Sequence, residues 1–225
     1  MNTKSISRIC GVLYVSTVLA FLISNLILRG PLVDAEDISG TFKLVADHAL
    51  QYRLAVAIDF VAMVAVMALA FSLYTILKPV DPYLALLALG WRIGEVVLQA
   101  GAKIPDYLLL TLSQSVSSSS GSGIADLDYL GQVLIDGSTW AVGLSFVFLS
   151  IGSIFNNFLF YKSKAIPVSL AIFGLIGTAL YTLASVLPLI IDLPESALGL
   201  MLPLVLFELL LGFYLAVFGM KEEIS

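Results

Sequence analysis

The sequence predicts an all-α membrane protein, a bundle of six transmembrane helices with both termini in the cytoplasm. Of its 225 residues, 60% are hydrophobic and 12% are charged, and the mean hydropathy is +1.03, which no ordinary soluble domain reaches. The apolar residues form long blocks: residues 9–28 carry no charge and match a hydrocarbon core about 30 Å thick. Backbone groups without water must pair within their own segment, which favours helix, and the alternation typical of a barrel is missing.

Six apolar segments define the predicted spans within a single domain covering residues 1–225. The spans are residues 9–28, 54–77, 83–104, 129–161, 166–191 and 197–219. Lys4 and Arg8 precede the first span as they would in a signal peptide, but the apolar stretch is long and lacks a clear cleavage site, so we interpret it as a retained helix. The fourth span is longer than a bilayer requires, which predicts that it tilts or projects beyond the membrane.

Prolines and polar stretches mark the ends of these spans. Lys78-Pro79 closes the second span, Pro105 closes the third, and Pro167 opens the fifth at a position that a first helical turn tolerates. Within the loop that follows the first span, the sequence from Ser39 predicts a short interfacial helix. The Ser- and Gly-rich residues 115–123 are typical of a flexible linker.

The distribution of Lys and Arg predicts the orientation. With the N-terminus inside, the cytoplasmic segments hold Lys4, Arg8, Lys78, Lys162, Lys164 and Lys221. The external segments hold Lys43, with Arg29 and Arg53 at their edges, and the loops at 113–128 and 192–196 hold neither residue type. Because cytoplasmic loops are enriched in basic residues, both termini are expected in the cytoplasm.

Several kinds of chemistry have little support in the sequence. The lone Cys10 excludes an intramolecular disulfide, and the lone His48 lies outside the spans and cannot build a histidine-rich metal or haem site. No phosphate-binding loop, dinucleotide fingerprint or nucleophile elbow appears, and no basic patch suits a nucleic acid. We therefore predict no cofactor, no metal and no nucleic-acid partner. The lipid bilayer is the expected partner, a small molecule or a proton is the candidate ligand, and the sequence leaves the oligomeric state open.

Charged residues within the spans are the candidate functional groups, because burying them in a membrane is costly. They are Asp59, Arg92, Glu95, Lys103, Asp136 and Glu208. Helical periodicity places Arg92, Glu95, Gln99, Lys103 and Asp106 on one stripe of the third span. Polar seams on the fourth, fifth and sixth spans add residues such as Asn157, Thr178 and Tyr181. The predicted polar mid-membrane site comprises Asp59, Arg92, Glu95, Gln99, Asp136, Tyr181 and Glu208.

The depth of these residues in the bilayer and their charge balance lead to two further predictions. At 1.5 Å per residue, Arg92 lies about 13 Å and Glu208 about 16 Å inside their spans, so both are expected near the middle of the bilayer. Four acids face two bases, and this excess of negative charge predicts that at least one acid is protonated or balanced by a cation. The alternative is a structural network that only holds the helices together. A Ser-Lys catalytic pair involving Lys103 is a third, weaker interpretation.

Small and aromatic residues add two packing predictions. Gly90, Gly94 and Gly101 lie opposite the polar stripe of the third span, a pattern that lets a neighbouring backbone approach closely. Aromatic residues near the ends of spans are typical of an interfacial belt. They are Tyr14, Tyr52, Tyr83, Tyr107, Tyr129 and Trp140.

Three stretches resemble the bacterial membrane family known as domain of unknown function 4386. They are residues 8–14 (RICGVLY), the Trp91-Arg92 step, and residues 202–212 (LPLVLFELLLG) leading to Gly219. The resemblance covers nearly the whole chain. It implies six spans in a bacterial cytoplasmic membrane, brings no activity, and directs attention to Arg92 and Glu208.

Two main functional classes follow. The first is a small-molecule or proton-coupled transporter in which Arg92 anchors an anionic group, Glu95 and Glu208 titrate, and Asp59 and Asp136 line an outer vestibule. The second is a non-transporting accessory, sensory or assembly protein whose buried charges are structural. A water-accessible crevice favours the first class, and a dry, fully paired core favours the second.

Overall fold

The computed structural model describes residues 2–118, 124–191 and 194–221 and contains helices but no strand within them. The seven α-helices are α1 (Thr3–Leu22), α2 (Ile38–Asp47), α3 (Ala49–Leu77), α4 (Pro82–Ser118), α5 (Ile124–Ser163), α6 (Val168–Val186) and α7 (Leu202–Phe218). Six helical segments are long and apolar enough to cross a membrane, which confirms the predicted class of six-span helical membrane protein. Many large apolar side chains, such as those of Val64 and Phe213, are exposed on these helices and imply contact with lipid.

Two short helix types extend the first and the last spans. After α1, the chain continues as a π-helical segment, Ile23–Arg29, and a 3₁₀ turn, Gly30–Leu32. Before α7, a 3₁₀ segment covers Glu195–Met201, and Pro203 lies in the first turn of α7, where its missing N–H is tolerated. The interfacial helix expected from Ser39 is α2, and the Asp37 side chain caps it by accepting a hydrogen bond from the Gly40 N–H at 2.8 Å.

Pro105 does not end the third span, contrary to the sequence prediction. It lies inside α4, which runs on to Ser118 and so includes the first residues of the stretch expected to be a linker. The rest of that stretch, residues 119–123, lies outside the described residues. Ion pairs made by Lys103 and Asp106 hold the helix on both sides of the proline, which offsets the loss of one backbone hydrogen bond.

The chain divides into two compact units. Unit 1 consists of Met1–Val18, Val64–Val97 and Gly143–Ser225, and unit 2 consists of Leu19–Met63 and Leu98–Val142. Because α1, α3, α4 and α5 each contribute to both units, the division cuts across helices rather than falling in a loop. The assignment of one domain therefore stays a prediction from the sequence.

In unit 1, α1 and α7 approach each other closely at Gly11. A Cβ atom on Gly11 would collide with the backbone of Gly212 and Ala216, so both helices need the small residue there. The close approach predicted at Gly90 is wrong, because nothing lies within 4 Å of a Cβ built at that position. Gly101 is equally open, whereas a Cβ on Gly94 would collide with the Phe148 ring of α5, so among the three predicted glycines only Gly94 lies at a close contact, and that contact is with a side chain.

Unit 2 has its own apolar core beneath α2. Phe42 of α2 is buried beside Val45 and Tyr52, and its ring occupies the space that a side chain at Gly131 would need. Thr41 ties α2 to the preceding turn by donating a hydrogen bond to the carbonyl of Asp34 at 2.9 Å. The short helix is thereby fixed against α5 through residues of this unit.

Candidate functional site

Arg92 and Glu95 form a buried ion pair on α4 in unit 1. The Arg92 Nη1 lies 2.9 Å from the Glu95 Oε2, and the two residues are 4% and 1% exposed. Because they are three positions apart, they share one face of the helix. Gly152 of α5 lies against the Cδ of Arg92, where a larger residue would crowd the guanidinium stem. The polar stripe predicted on the third span therefore points into unit 1 at this level.

Glu208 brings a second carboxylate to the same guanidinium. It lies on α7, is partly buried, and interacts electrostatically with Arg92. Tyr14 of α1 and Tyr181 of α6, which are 5% and 6% exposed, interact electrostatically with the same charges. The structure thus brings together Arg92, Glu95, Tyr181 and Glu208 of the predicted site, and it adds Tyr14.

The charges of this inner triad, Arg92, Glu95 and Glu208, do not balance. One guanidinium faces two carboxyl groups, and Glu208 makes no salt bridge within 4 Å to any described residue. The Arg92 Nε is buried and has no hydrogen-bond partner among the described residues. A buried polar group without a partner is costly, so the triad has capacity for a further ligand, a proton or a water molecule.

In unit 2, a second charged group consists of Arg29, Asp59, Lys103 and Asp106, here called the four-residue cluster. The Lys103 Nζ lies 2.8 Å from the Asp59 Oδ2 and 2.7 Å from the Asp106 Oδ2. The Arg29 Nη2 lies 2.6 Å from the Asp59 Oδ2, and the Ser138 hydroxyl donates to the Asp106 Oδ1 at 2.6 Å. Two cations face two carboxylates, so the cluster is neutral when all four residues are ionised.

The π-helical segment positions Arg29 in this cluster. Its wider turn rotates the residues that follow it relative to a regular α-helix, and the Arg29 Nη1 donates to the Asn25 side chain at 2.9 Å within the same segment. The Gln51 side chain donates to the Leu28 carbonyl at 2.9 Å and Ser24 to the Ala55 carbonyl at 3.0 Å. These bonds fasten the segment to α3.

Two further residues of the predicted site belong to unit 2. Asp136 is exposed on α5 and accepts a hydrogen bond from Gln132 at 2.9 Å, and Gln99 is half-buried in unit 2. Asp59 joins the four-residue cluster instead of the inner triad. The expected grouping of seven residues is therefore divided between the units.

Some residues of these sites were not expected from the sequence. Arg29 was placed at a loop edge, and Tyr14 and Tyr52 in an aromatic belt, yet Tyr14 is 5% and Tyr52 is 0% exposed. Tyr83, Tyr107, Tyr129 and Trp140 are exposed, as a belt requires. Helical periodicity did indicate Asp106, because this residue lies on the same stripe of α4 as Arg92 and Lys103. Nothing in the sequence signals the π-helical turn that redirects Arg29.

Polar seams elsewhere connect helices directly. The Asn157 side chain on α5 donates to the Thr178 hydroxyl at 2.7 Å and to the Gly174 carbonyl at 3.2 Å, both on α6. At this seam the polar side chains therefore link α5 to α6 through hydrogen bonds. Lys103 is held by two carboxylates, so its visible contacts are those of a partner in ion pairs.

Comparison with known proteins places the chain in a family. The family model described as Domain of unknown function (DUF4386) matches residues 9–219, nearly the whole chain. The chain belongs to this DUF4386 family. Neither the curated proteins nor the solved structures give a match. The DUF4386 match includes every residue of the inner triad and of the four-residue cluster, whereas Lys4 and Lys221 lie outside it.

Proposed function

We propose that this DUF4386 protein is a proton-coupled transporter of a small molecule, with the inner triad as its proton site. The observation that carries the proposal is the unequal charge of the triad, in which one buried guanidinium serves two carboxyl groups. A single shared proton would make the group neutral. Ionisable residues buried within membrane spans are retained mainly where protons, ions or substrates pass, which supports the same assignment.

The residues of the triad would have different roles. Glu95 faces Arg92 at 2.9 Å and would stay its ionic partner, so the proton would reside on Glu208. An anionic group of a substrate could bind Arg92 in place of Glu95. The Arg92 Nε could donate to that group, because it has no hydrogen-bond partner among the described residues. Tyr14 and Tyr181 would supply hydroxyl groups beside the exchanging proton.

The membrane and the orientation belong to the same proposal. The ends of the spans in unit 1 carry Lys4, Arg8, Lys78, Lys162, Lys164 and Lys221, and this basic end would face the cytoplasm. We accordingly propose a bacterial cytoplasmic membrane, with both termini inside.

A second candidate is a non-transporting accessory or assembly protein. The four-residue cluster favours it, because two cations and two carboxylates 2.6–3.4 Å apart satisfy one another without any ligand. The bonds from Asn157 to α6 have the same character. If the protein has this accessory role, Arg92 and Glu95 would be a structural ion pair and Glu208 would be a neutral glutamic acid.

Transport currents distinguish the two candidates. Purified protein in proteoliposomes on a solid support would be exposed to pools of amino acids, organic acids, sugars and organic cations under an inward proton gradient. If the protein is a transporter, at least one pool should produce a current. That current should disappear in Glu208→Gln and persist in Glu36→Gln, which changes an exposed carboxylate in unit 2. Currents equal to those of empty liposomes for every pool would support the accessory protein instead.

A further inference from the structure

A cavity with a mixed polar and apolar lining lies at the end of unit 1 where three spans begin or end. It has a volume of about 280 Å³, and it is lined by the polar residues Asn2, Thr3, Lys4, Thr75 and Lys221 together with Pro79 and Met220. The first span begins at Thr3, the second ends at Leu77, and the sixth ends at Phe218. The cavity is therefore at the level where apolar helix gives way to polar chain, which in a bilayer is the headgroup region.

Hydrogen bonds fix the backbone of the residues that line this cavity. Gly219 ends α7 with a φ of +72°, a left-handed conformation that suits glycine, and turns the chain back over α1. The Met220 N–H then donates to the Ser7 hydroxyl at 3.0 Å, and that hydroxyl donates to the Lys4 carbonyl at 2.9 Å. The Lys221 N–H donates to the Ala165 carbonyl at 3.0 Å. The backbone of both lysines is thus fixed, although their side chains reach the surface.

The two lysines have no acidic partner among the described residues. Neither Lys4 nor Lys221 takes part in a salt bridge there, whereas Lys162 at the same end of the unit pairs with Asp81 at 3.3 Å. Both lysines line the cavity, and their positive charges attract a group with at least one negative charge and several acceptor oxygens. The threonine hydroxyl of Thr3 and the amide of Asn2 add donors suited to the same kind of oxygen.

We propose that this cavity binds a phosphate group, held by Lys4 and Lys221. A phosphate offers oxygens to both lysines at once, and a volume of about 280 Å³ leaves space for the atoms bonded to it. The position at the ends of the spans suits the headgroup of an anionic phospholipid, and free inorganic phosphate has the same chemistry. The site does not depend on the proposed transport function, because it shares no residue with the inner triad.

Binding measurements on the full chain in detergent test this site. Native mass spectrometry would count bound phosphatidylglycerol and phosphatidylcholine, and calorimetry would measure inorganic phosphate. Lys4→Gln and Lys221→Gln are each expected to weaken phosphatidylglycerol binding about fivefold, as for one lysine at a charged lipid surface, and Lys4→Arg to restore it. Lys164→Gln, an exposed lysine at the same end of unit 1, is the matched control and is expected to leave binding unchanged.

The outcomes separate the source of the phosphate from the existence of the site. Lysine-dependent binding of phosphatidylglycerol identifies a lipid, and lysine-dependent binding of inorganic phosphate alone identifies a soluble anion. Binding that Lys4→Gln and Lys221→Gln leave intact, or that Lys164→Gln weakens equally, overturns the proposal. Glu222 and Glu223 follow Lys221 and lie outside the described residues. Binding seen only after both are changed to Gln would also overturn it, since the carboxylates of the chain would then occupy the lysines.

Discussion

Arg92 Nη1 and Glu95 Oε2 lie 2.9 Å apart on the same face of α4, and both side chains are buried. Because the pair is within one helix, it does little to fasten that helix to its neighbours. Its consequence is electrostatic: it satisfies one carboxylate and leaves Glu208 of α7 as a second acid near the same guanidinium. A proton on Glu208 would balance the group, and the proposed function depends on that proton.

The four-residue cluster should respond to mutation as a structural unit. Lys103→Met leaves one guanidinium against two carboxylates, and we expect it to lower the free energy of unfolding by about 3 kcal/mol, as breaking a buried pair does. Thermal unfolding in detergent measures the change. Lys43→Met, which removes an exposed lysine of α2, should shift stability by less than about 0.5 kcal/mol.

The double variant Lys103→Met with Asp106→Asn tests the cause of that loss. It removes one charge of each sign and leaves Arg29 with Asp59, so much of the lost stability should return. Strictly additive losses would contradict a cluster held together by charge balance.

The contact between α1 and α7 should be sensitive to a single methyl group. Gly11→Ala places a Cβ against the backbone of Ala216, so we expect a loss of about 2 kcal/mol in the free energy of unfolding. Gly90→Ala is the matched control, since it makes the same change within a helix where nothing lies within 4 Å. Equal effects of the two substitutions in chemical or thermal unfolding would show that the helices do not meet at Gly11.

Asp81 lies outside the spans, and titration of its carboxyl group should make the stability of the protein depend on pH. The Leu84 N–H donates to its Oδ1 at 3.1 Å and, with Lys162, holds the pKa of this carboxyl below its ordinary value of 3.8. A lowered folded pKa contributes stability above pH 3.8 that is lost as the pH falls through the folded value. Asp81→Asn should therefore be less stable than wild type at neutral pH, and the difference should shrink in acid. A constant difference across the pH range would count against this.

Long-range features of the fold were predictable because a bilayer imposes them. The length of the apolar blocks specifies six spans, and α2 was recognisable from the residues after Ser39. Local rules failed where tertiary contacts override them: Pro105 stays within α4, and Gly90 faces open space while Gly11 makes the tight contact.

The candidate site was half predictable for a related reason. Helical phase groups residues on one helix, so Arg92 with Glu95 and Lys103 with Asp106 follow from the sequence. Phase cannot say which other helix supplies the partner, so it did not identify Arg29 as the partner of Asp59. Arg29 depends on a π-helical turn that has no sequence signature here.

Infrared difference spectroscopy can show whether Glu208 carries a proton. Spectra of wild type and Glu208→Gln would be compared at neutral pH, with Glu36→Gln as the control for an exposed carboxylate. We expect Glu208→Gln to remove a band of a protonated carboxyl group and Glu36→Gln to remove only carboxylate bands. If Glu208→Gln instead removes carboxylate bands alone, Glu208 is ionised, and the proton site proposed for the inner triad does not exist.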